Sequence, residues 1–303
     1  MQNNNIVDCH SHIGNDWVWG KSTFDGYIKL IDRIGVNVSL LMPVPGQLDF
    51  ETGSKRLLRW KYENNKFNYW SEKENTVPSS KLFNEPVYDI ISKYQGDKRL
   101  FFVPFIHPVL DTVDYLYEIV KKYKPVAFKI HGVACGVIPS LFGKKFIEAL
   151  KDIDIPVIVH TDYSEDVDSI QYKNNSLSWA KFFVKNKIKG YLTHAARVDM
   201  ETWNLVNDND NIVVGVGPDL LISSRKHTLK DSDKFSLDNV LEMLNEKVDV
   251  NKMMFDIDYS WNVKNENKEL DYEMIDRIKK IFGEERAAKI LSSNPIKFFG
   301  LDV

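Results

Sequence analysis

Two histidines separated by one residue lie near the start of the chain, in the segment Asp8-Cys9-His10-Ser11-His12. In a β-strand the side chains of Asp8, His10 and His12 would share one face. A buried imidazole costs free energy unless its nitrogens are satisfied, and a divalent metal binds neutral imidazole near pH 7. The spacing therefore indicates a metal-binding pair, although a lone His-x-His also occurs among hydrogen-bonded and surface histidines.

Further histidines recur where short apolar runs end. The chain has seven histidines, and His107, His131, His160 and His194 each close such a run, whereas His227 does not. If the runs are parallel strands of a barrel, their carboxyl ends meet at one mouth, where barrel enzymes build their active sites. The recurrence therefore favours a metal centre.

A carboxylate completes the set near the end of the chain. The apolar run Met253–Tyr259 contains Asp256 and Asp258, which would share one face of a strand. A carboxylate in such a run is paired, bound to a metal or used as a proton acceptor. Either aspartate alone is as readily a buried structural residue. Asp258 lies nearer the strand end, however, and together with the histidines it is the expected partner of the metal.

The elements that must position these side chains follow from the hydrophobic pattern. Apolar runs that are continuous rather than alternating are typical of a parallel sheet covered on both faces. They predict strands at Ile6–His10, Val36–Pro43, Leu100–His107, Val126–His131, Pro156–His160, Gly190–His194, Ile212–Val216 and Met253–Asp258. The stretches between them predict helices at Thr23–Ile34, Glu85–Tyr94, Thr112–Lys122, Leu141–Leu150, Leu177–Asn186, Met200–Asn207, Ser236–Leu244 and Tyr272–Phe282.

This alternation predicts an α/β fold with parallel strands. Eight units favour a closed (β/α)₈ TIM barrel over a doubly wound open sheet, and 303 residues suit a single barrel domain over positions 1–303. The nucleotide-binding signatures of open sheets, Gly-x-Gly-x-x-Gly and the P-loop, do not occur in the sequence.

One connection is too long for the repeat of strand and helix. An insertion of about residues 47–86 follows the second predicted strand and carries Trp60, Tyr62, Phe67, Tyr69 and Trp70. Long structured loops in compact domains are often functional. These aromatic residues are predicted either to pack the insertion onto the barrel or to form a lid over the substrate.

The overall composition excludes several classes of protein. The chain carries 40 basic and 43 acidic residues without a basic block, unlike a nucleic-acid binder. Cys9 and Cys135 are too few for a disulfide framework. The polar N-terminus lacks the regions of a signal peptide, and no apolar run is long enough to span a membrane. We expect a soluble, cytoplasmic protein that binds a small molecule rather than nucleic acid or membrane.

The order of the motifs resembles the amidohydrolase superfamily, and more closely its amidohydrolase-related branch of the aminocarboxymuconate-semialdehyde decarboxylase type. The resemblance extends over nearly the whole chain and rests on Asp8–His12, Lys129-Ile130-His131, His160, His194, Asp258 and the closing segment Ser293–Leu301. Two departures bear on the substrate. Ile257 stands where the branch has Ser or Thr, and Ala195-Ala196-Arg197 follows His194 in place of Leu-Gly or Gly-Gly.

The resemblance implies that one divalent metal is held by His10, His12, His160 and Asp258. Zinc is the default, and manganese, iron or nickel would accept the same donors. The resemblance also implies that Asp258 takes a proton from the attacking water and that His194 hydrogen-bonds or polarises the reacting group.

Lys129 leaves an alternative open. In two-metal members of the superfamily, a carboxylated lysine at the end of the fourth strand bridges the metals. The pair Lys129 and His131 resembles the one-metal pattern, which we favour. Lys129 is then a buried cation that faces the metal site or binds an anionic substrate. His131 is expected to contact the substrate, and His107 is expected to be structural.

Arg197, Arg225 and Trp17 complete the predicted substrate-binding set. Either arginine could hold a substrate carboxylate through a bidentate pair, or could lie on the surface. Trp17, together with Trp19, could form a wall of the pocket or pack beneath its own loop.

The predicted function is metal-dependent hydrolysis, in which activated water attacks a carbonyl-type carbon of an amide, lactone or ester. The substrate would be small and could carry a carboxylate. The alternative is a metal-dependent, non-oxidative decarboxylation of an aromatic or enol-type carboxylic acid at the same site. A third hypothesis is a binding protein that keeps the scaffold. The family often forms homodimers, which makes a homodimer compatible with the resemblance.

Overall fold

The fold is that of a computed structural model. It describes residues 5–16, 20–44, 48–49, 52–160, 174–217, 236–259 and 269–303. Trp17 and Arg225, which the sequence predicts to bind substrate, lie outside these ranges, as does Trp19.

Two sheets contain the strands that run between the helices. In the first, the parallel strands β1 (Val7–Asp16), β3 (Val38–Pro43) and β6 (Arg99–Phe102) are neighbours, and β2 (Gly20–Ser22) pairs antiparallel with β1. The second is wholly parallel and follows chain order: β7 (Phe128–His131), β8 (Val157–His160), β9 (Gly190–Leu192), β10 (Ile212–Val216) and β11 (Met253–Phe255). The predicted parallel α/β architecture is confirmed.

Hydrogen bonds join the two sheets at both edges. On one side, Lys129 N donates to Pro104 O at 2.9 Å and Ile106 N donates to Lys129 O at 3.0 Å. On the other, Asp258 N donates to His10 O at 2.7 Å. The first and last strands of the described chain therefore lie side by side, which places the two ends of the sequence at one site.

Eight helices lie between strands, and three follow the last strand in the described part of the chain. They are α1 (Phe24–Ile34), α2 (Lys81–Ser92), α3 (Val113–Tyr123), α4 (Gly132–Cys135), α5 (Lys144–Ile153), α6 (Ser176–Asn186), α7 (Met200–Asp208), α8 (Leu237–Lys247), α9 (Glu269–Phe282), α10 (Glu284–Ala288) and α11 (Asn294–Phe299). Short-chain polar residues cap several of them, as the sequence indicates: the side chains of Thr23, Thr112 and Ser236 accept hydrogen bonds from the first turn. In the described part of the chain, no helix combines the length and apolarity needed to cross a membrane.

Several predicted boundaries are wrong, for local reasons. The third strand ends at Phe102 rather than His107, because Asn84 of α2 takes over the pairing of Phe105. Its side chain accepts from Phe105 N at 2.7 Å and donates to Phe105 O at 2.9 Å. The fourth predicted helix, which is α5 of the structure, begins at Lys144 rather than Leu141, since Pro139–Leu141 forms a separate 3₁₀ turn.

Apolar side chains pack on both sides of the strands. One buried cluster comes mostly from the strands and includes Val7, Leu40 and Ile158, together with the C-terminal Phe299 and Leu301. A larger cluster joins side chains of the strands and the helices. This two-sided burial explains why the strands read as continuous apolar runs.

The prediction that Asp8 shares a face with His10 and His12 is wrong. The pairing of β1 with β3 shifts register between Asp8 and Ser11, and such a bulge redirects side chains. The carboxylate of Asp8 accepts from Tyr27 Oη of α1 at 2.5 Å and from Ile257 N at 3.0 Å. Asp8 therefore anchors the first strand to α1 and to the segment after β11.

His107 and Asp111 form a buried network below the mouth of the strands. His107 Nε2 donates to Cys135 O at 3.1 Å, and its Nδ1 accepts from Val109 N and Leu110 N, both at 3.2 Å. The carboxylate of Asp111 accepts from His107 N at 2.7 Å. These contacts suit the structural role expected of His107. Burial raises the pKa of Asp111 to about 6.

We expect Asp111→Asn to change how stability depends on pH. Between pH 4 and pH 6 the folded protein keeps a proton on Asp111 that the unfolded chain has lost, so native stability falls as the pH rises through about 6. Relative to the wild type, the free energy of unfolding of the variant should rise by up to about 3 kcal/mol from pH 4 to pH 7. Urea unfolding at several pH values measures this difference. A difference that stays constant with pH would contradict the assignment.

Candidate metal centre

His10 and His12 within β1 converge with Asp258, which lies just after the end of β11. One ring nitrogen from each histidine and one carboxylate oxygen lie within 4.8 Å of one another, and all three residues are buried. His10 Nδ1 and His12 Nε2 lie 3.8 and 3.7 Å from Asp258 Oδ1. The structure thus brings together three of the four predicted ligands.

The backbone fixes each member of this group. His12 Nδ1 lies 2.7 Å from Pro43 O, so Nδ1 carries the proton and Nε2 keeps its lone pair. This Nε2 lies 2.9 Å from His10 Nε2 and 3.7 Å from Asp258 Oδ1. Asp258 has a left-handed backbone with φ of 53°, and its N–H bonds to the carbonyl of His10. The residue that supplies the carboxylate is therefore held directly to the strand that supplies the imidazoles.

The electrostatics of the site favour neutral imidazoles. Burial, followed by the nearby charge of Lys129, keeps the pKa values of His10 and His12 well below the usual range. Burial likewise lowers the pKa values of His160 and His194. Metals bind histidine only in its neutral form, so these side chains are ready to act as ligands well below pH 6.5.

The donor set fits a divalent cation. His10 Nδ1 is a buried nitrogen with no hydrogen-bond partner among the described residues. Proteins rarely leave a buried polar atom without a hydrogen bond or a ligand. Two imidazoles and a carboxylate are common ligands of zinc and related metals. They leave coordination positions for a further ligand and for substrate.

His160 lies outside this group of three, among other bases. Its ring stacks on His131 with centroids 3.9 Å apart. His194 Nε2 lies 2.7 Å from His160 Nδ1, and Arg197 Nη2 lies 3.4 Å from His160 Nε2. His194 also approaches the metal centre, with its Nε2 4.0 Å from Asp258 Oδ2. A ligand role for His160 stays a prediction.

Lys129 lies inside the site rather than at its edge. The side chain is fully buried, and its Nζ is 2.7 Å from His10 Nε2. Burial lowers the pKa of Lys129 to about 7, against the opposing influence of Asp258 and Asp256. The position of Lys129 beside His10 suits the predicted buried cation that faces the metal site.

Residues His194–Val198 follow β9 as a left-handed turn. All five have positive φ, between 47° and 59°, although none is glycine. Such a backbone costs about 1–2 kcal/mol per residue in L-amino acids. The sequence predicts a strand that ends at His194, and the structure instead ends β9 at Leu192.

Asp256 belongs to a second buried pair beneath the site. Its Oδ2 accepts a short hydrogen bond from Tyr191 Oη of β9. Gly215 and Gly217 make room for it, because a Cβ at either position would lie within 2.2 Å of a carboxylate oxygen. Burial keeps the pKa of Asp256 well above its usual range. The sequence predicts that Asp256 shares a face with Asp258 but does not reveal its partner Tyr191, which Gly215 in β10 and Gly217 just after it could have indicated.

The segment between β3 and α2 contains a hairpin of β4 (Arg59–Glu63) and β5 (Lys66–Trp70). Trp60 Nε1 donates to Val133 O at 3.1 Å, and Tyr69 Oη donates to Gly136 O at 2.9 Å. The hairpin therefore packs onto α4 and its C-cap Gly136, directly after His131 at the end of β7. These contacts favour the packing interpretation of Trp60 and Tyr69 over that of a lid.

A substitution at this C-cap tests the packing. Gly136 has φ of 65°, and a Cβ there would lie 2.6 Å from the ring of Trp60. We expect Gly136→Ala to lose about 1–3 kcal/mol more stability than Gly300→Ala. Gly300 has φ of 63°, and a Cβ there would have no atom within 4 Å. The Gly300→Ala variant therefore loses only the stability that backbone strain costs. Urea unfolding of both variants gives the comparison, and equal losses would mean that Trp60 does not pack on Gly136.

No family model matches the sequence, and no curated protein matches it. Solved structures match over nearly the whole chain. A probable 2-pyrone-4,6-dicarboxylic acid hydrolase from Acinetobacter baumannii is 14% identical with a TM-score of 0.62, covering 98% of this chain and 100% of that one. An amidohydrolase from Burkholderia multivorans is 11% identical with a TM-score of 0.65, covering 98% and 99%. A dihydroorotase from Campylobacter jejuni is 14% identical with a TM-score of 0.55, covering 99% and 84%.

The chain shares the fold of these solved structures. This likeness confirms the fold that the resemblance implied. Lys129 lies beside His10, whereas His131 and Arg197 lie beside His160. Their contacts with a substrate stay predictions. At this level of identity the likeness establishes the fold alone, so the chemistry has to be argued from the site.

Proposed function

We propose that the protein is a metal-dependent hydrolase that attacks a carbonyl-type carbon of an amide, lactone or ester. The observation that carries the proposal is the buried group of His10, His12 and Asp258, with His194 beside the carboxylate. Hydrolases with the same fold support it.

The proposal includes a closed (β/α)₈ barrel with an insertion at about residues 47–86. The hydrogen bonds at both edges of the two sheets support closure, and the hairpin of β4 and β5 between β3 and α2 supports the insertion. In a closed barrel, the strand-end residues of opposite sheets face one pocket.

His10, His12, His160 and Asp258 would hold one divalent metal, with zinc as the default. When bound there, the metal would lower the pKa of water and polarise a carbonyl oxygen. The low histidine pKa values support binding, since no proton has to leave these rings near neutral pH.

Asp258 would transfer the proton. Its carboxylate would take a proton from the attacking water and later give it to the leaving group. His194 would stabilise the charge that develops on the reacting oxygen. Its Nε2 lies 2.7 Å from His160 Nδ1 and 4.0 Å from Asp258 Oδ2.

The surroundings of the centre suit a substrate with a carboxylate. Lys129, His131 and Arg197 place hydrogen-bond donors and positive charge around His10 and His160. The Acinetobacter baumannii protein is named for a dicarboxylic acid substrate, which supports the same class here. Arginine suits this role because it pairs with a carboxylate through two parallel hydrogen bonds.

Metal analysis combined with a hydrolase screen tests the proposal. The purified protein should hold one metal ion per chain, lose activity with a chelator and regain it with zinc. The screen would cover lactones, amides and esters with and without a carboxylate. A protein that binds stoichiometric metal and hydrolyses none of them would count against the proposal. Two ions per chain would instead support a carboxylated Lys129 that bridges them.

Product analysis separates the alternative decarboxylase from the hydrolase. Both would use the same metal and a carboxylated substrate, so the ligand set alone does not distinguish them. A decarboxylase releases CO₂ and leaves the remaining bonds of the substrate intact, whereas a hydrolase adds the elements of water. Release of CO₂ from an aromatic or enol-type acid, without bond hydrolysis, would favour the decarboxylase.

A further inference from the structure

The left-handed turn His194–Val198 needs an external support. A single left-handed residue is common, but five in succession without glycine carry a steric cost at every position. A backbone of this kind persists only where its surroundings fix it. The contacts of the turn show which residues do so.

The support comes from α7, which begins directly after the turn. The indole Nε1–H of Trp203 donates a 2.8 Å hydrogen bond to the carbonyl of Ala195, and Trp203 is buried. Asp199 caps α7 by accepting from Glu201 N at 3.2 Å and from Thr202 Oγ1 at 2.6 Å. The cap of α7 thus fixes the end of the turn, and the hydrogen bond from the indole of Trp203 fixes Ala195 within it.

The turn carries two residues to one target. His194 and Arg197 reach opposite nitrogens of His160, at 2.7 Å from Nδ1 and 3.4 Å from Nε2. A right-handed backbone in this segment would point both side chains elsewhere, because the two conformations direct Cβ differently. The left-handed form is therefore what places both groups against His160.

We propose that Trp203 is a positioning residue. Through the carbonyl of Ala195 it holds the left-handed turn, and through the turn it sets His194 and Arg197 against His160. Its effect on reaction rate rests on the proposed hydrolase function, whereas its effect on the geometry of His160 does not.

The geometric test needs no substrate. In protein labelled with ¹⁵N-histidine, with and without added zinc, the contact of His160 with His194 should give an imidazole N–H resonance that is protected from exchange. Trp203→Phe keeps an aromatic ring but lacks the indole N–H, and it should lose or shift this resonance. Trp179→Phe removes a comparable buried bond, from Trp179 Nε1 to Asn174 Oδ1 at 2.6 Å, and should keep it. An unchanged resonance in Trp203→Phe overturns the proposal.

The kinetic test uses a rescue. Trp203→Phe should lower kcat by about ten- to a hundredfold, because a buried carbonyl loses its donor and the turn loosens. Glycine adopts positive φ at no steric cost, so adding Ala196→Gly should restore most of the rate and the resonance. Ala196→Gly alone should change little.

Two kinetic outcomes overturn the proposal: an equal rate loss in Trp179→Phe, or a folded double variant without rescue. If the wild type hydrolyses nothing while the resonance behaves as expected, the proposed function fails and the positioning role of Trp203 stands.

Discussion

Asp258→Asn should lower kcat/KM by about a thousandfold while leaving the fold intact. The amide keeps the shape of the side chain but is a poor proton acceptor, and a positioned general base contributes about 10²–10⁴ in rate. The backbone N–H of Asp258, which bonds to His10 O, is unaffected by the change. Steady-state kinetics at saturating zinc, with the bound metal counted in the same samples, measure the effect.

Asp111→Asn is the matched control for this loss. Asp111 is also a buried aspartate that accepts backbone hydrogen bonds, but it lies in the network of His107 rather than in the metal centre. Above pH 6 it should retain wild-type kcat/KM. Comparable rate losses in the two variants would mean that Asp258 acts through stability, and the catalytic assignment would then be wrong.

His12→Ala should weaken metal binding by more than about a hundredfold, the upper end of what loss of an outer-shell partner costs. The substitution removes the nitrogen that faces Asp258, and nothing in alanine replaces it. Activity should fall in parallel, because the chemistry depends on the bound ion. Zinc titration of chelator-treated protein gives the affinity directly.

His107→Ala separates ligand loss from the loss of any buried histidine. His107 bonds Cys135 O, Val109 N and Leu110 N, so its removal should cost stability without changing metal affinity. Equal loss of zinc from the His107 and His12 variants would contradict the metal centre as described.

The sequence predicts the ends of β7 and β8 at His131 and His160 correctly, since buried strands read as apolar runs. A histidine at the end of a run is not sufficient, because the strands predicted to end at His10, His107 and His194 end elsewhere. His10 and Asp258 could be paired because parallel strands of a barrel share one mouth, although they stand at opposite ends of the chain.

The sequence does not predict features that tertiary contacts impose. The bulge in β1 turns the side chain of Asp8 away from that of His10, and no residue in Asp8–His12 indicates that a bulge occurs there. The left-handed turn after β9 contains Ala195 and Ala196, with no glycine to signal positive φ. The early end of β6 depends on the side chain of Asn84, which is remote in sequence. Local propensity cannot indicate a conformation that a distant partner imposes.

The seam between β1 and the segment after β11 has a consequence for how the chain folds. Asp8 and Ile257, which are hydrogen-bonded there, are 249 positions apart in sequence. Contacts of such separation form late, since the entropy of closing a long loop must be lost before they stabilise anything. The proposed metal ligands straddle this seam, so on that proposal a nascent chain would have no complete binding site until β11 and Asp258 had left the ribosome. Binding of zinc would then report the final step of folding, and it would stabilise only chains that have completed it.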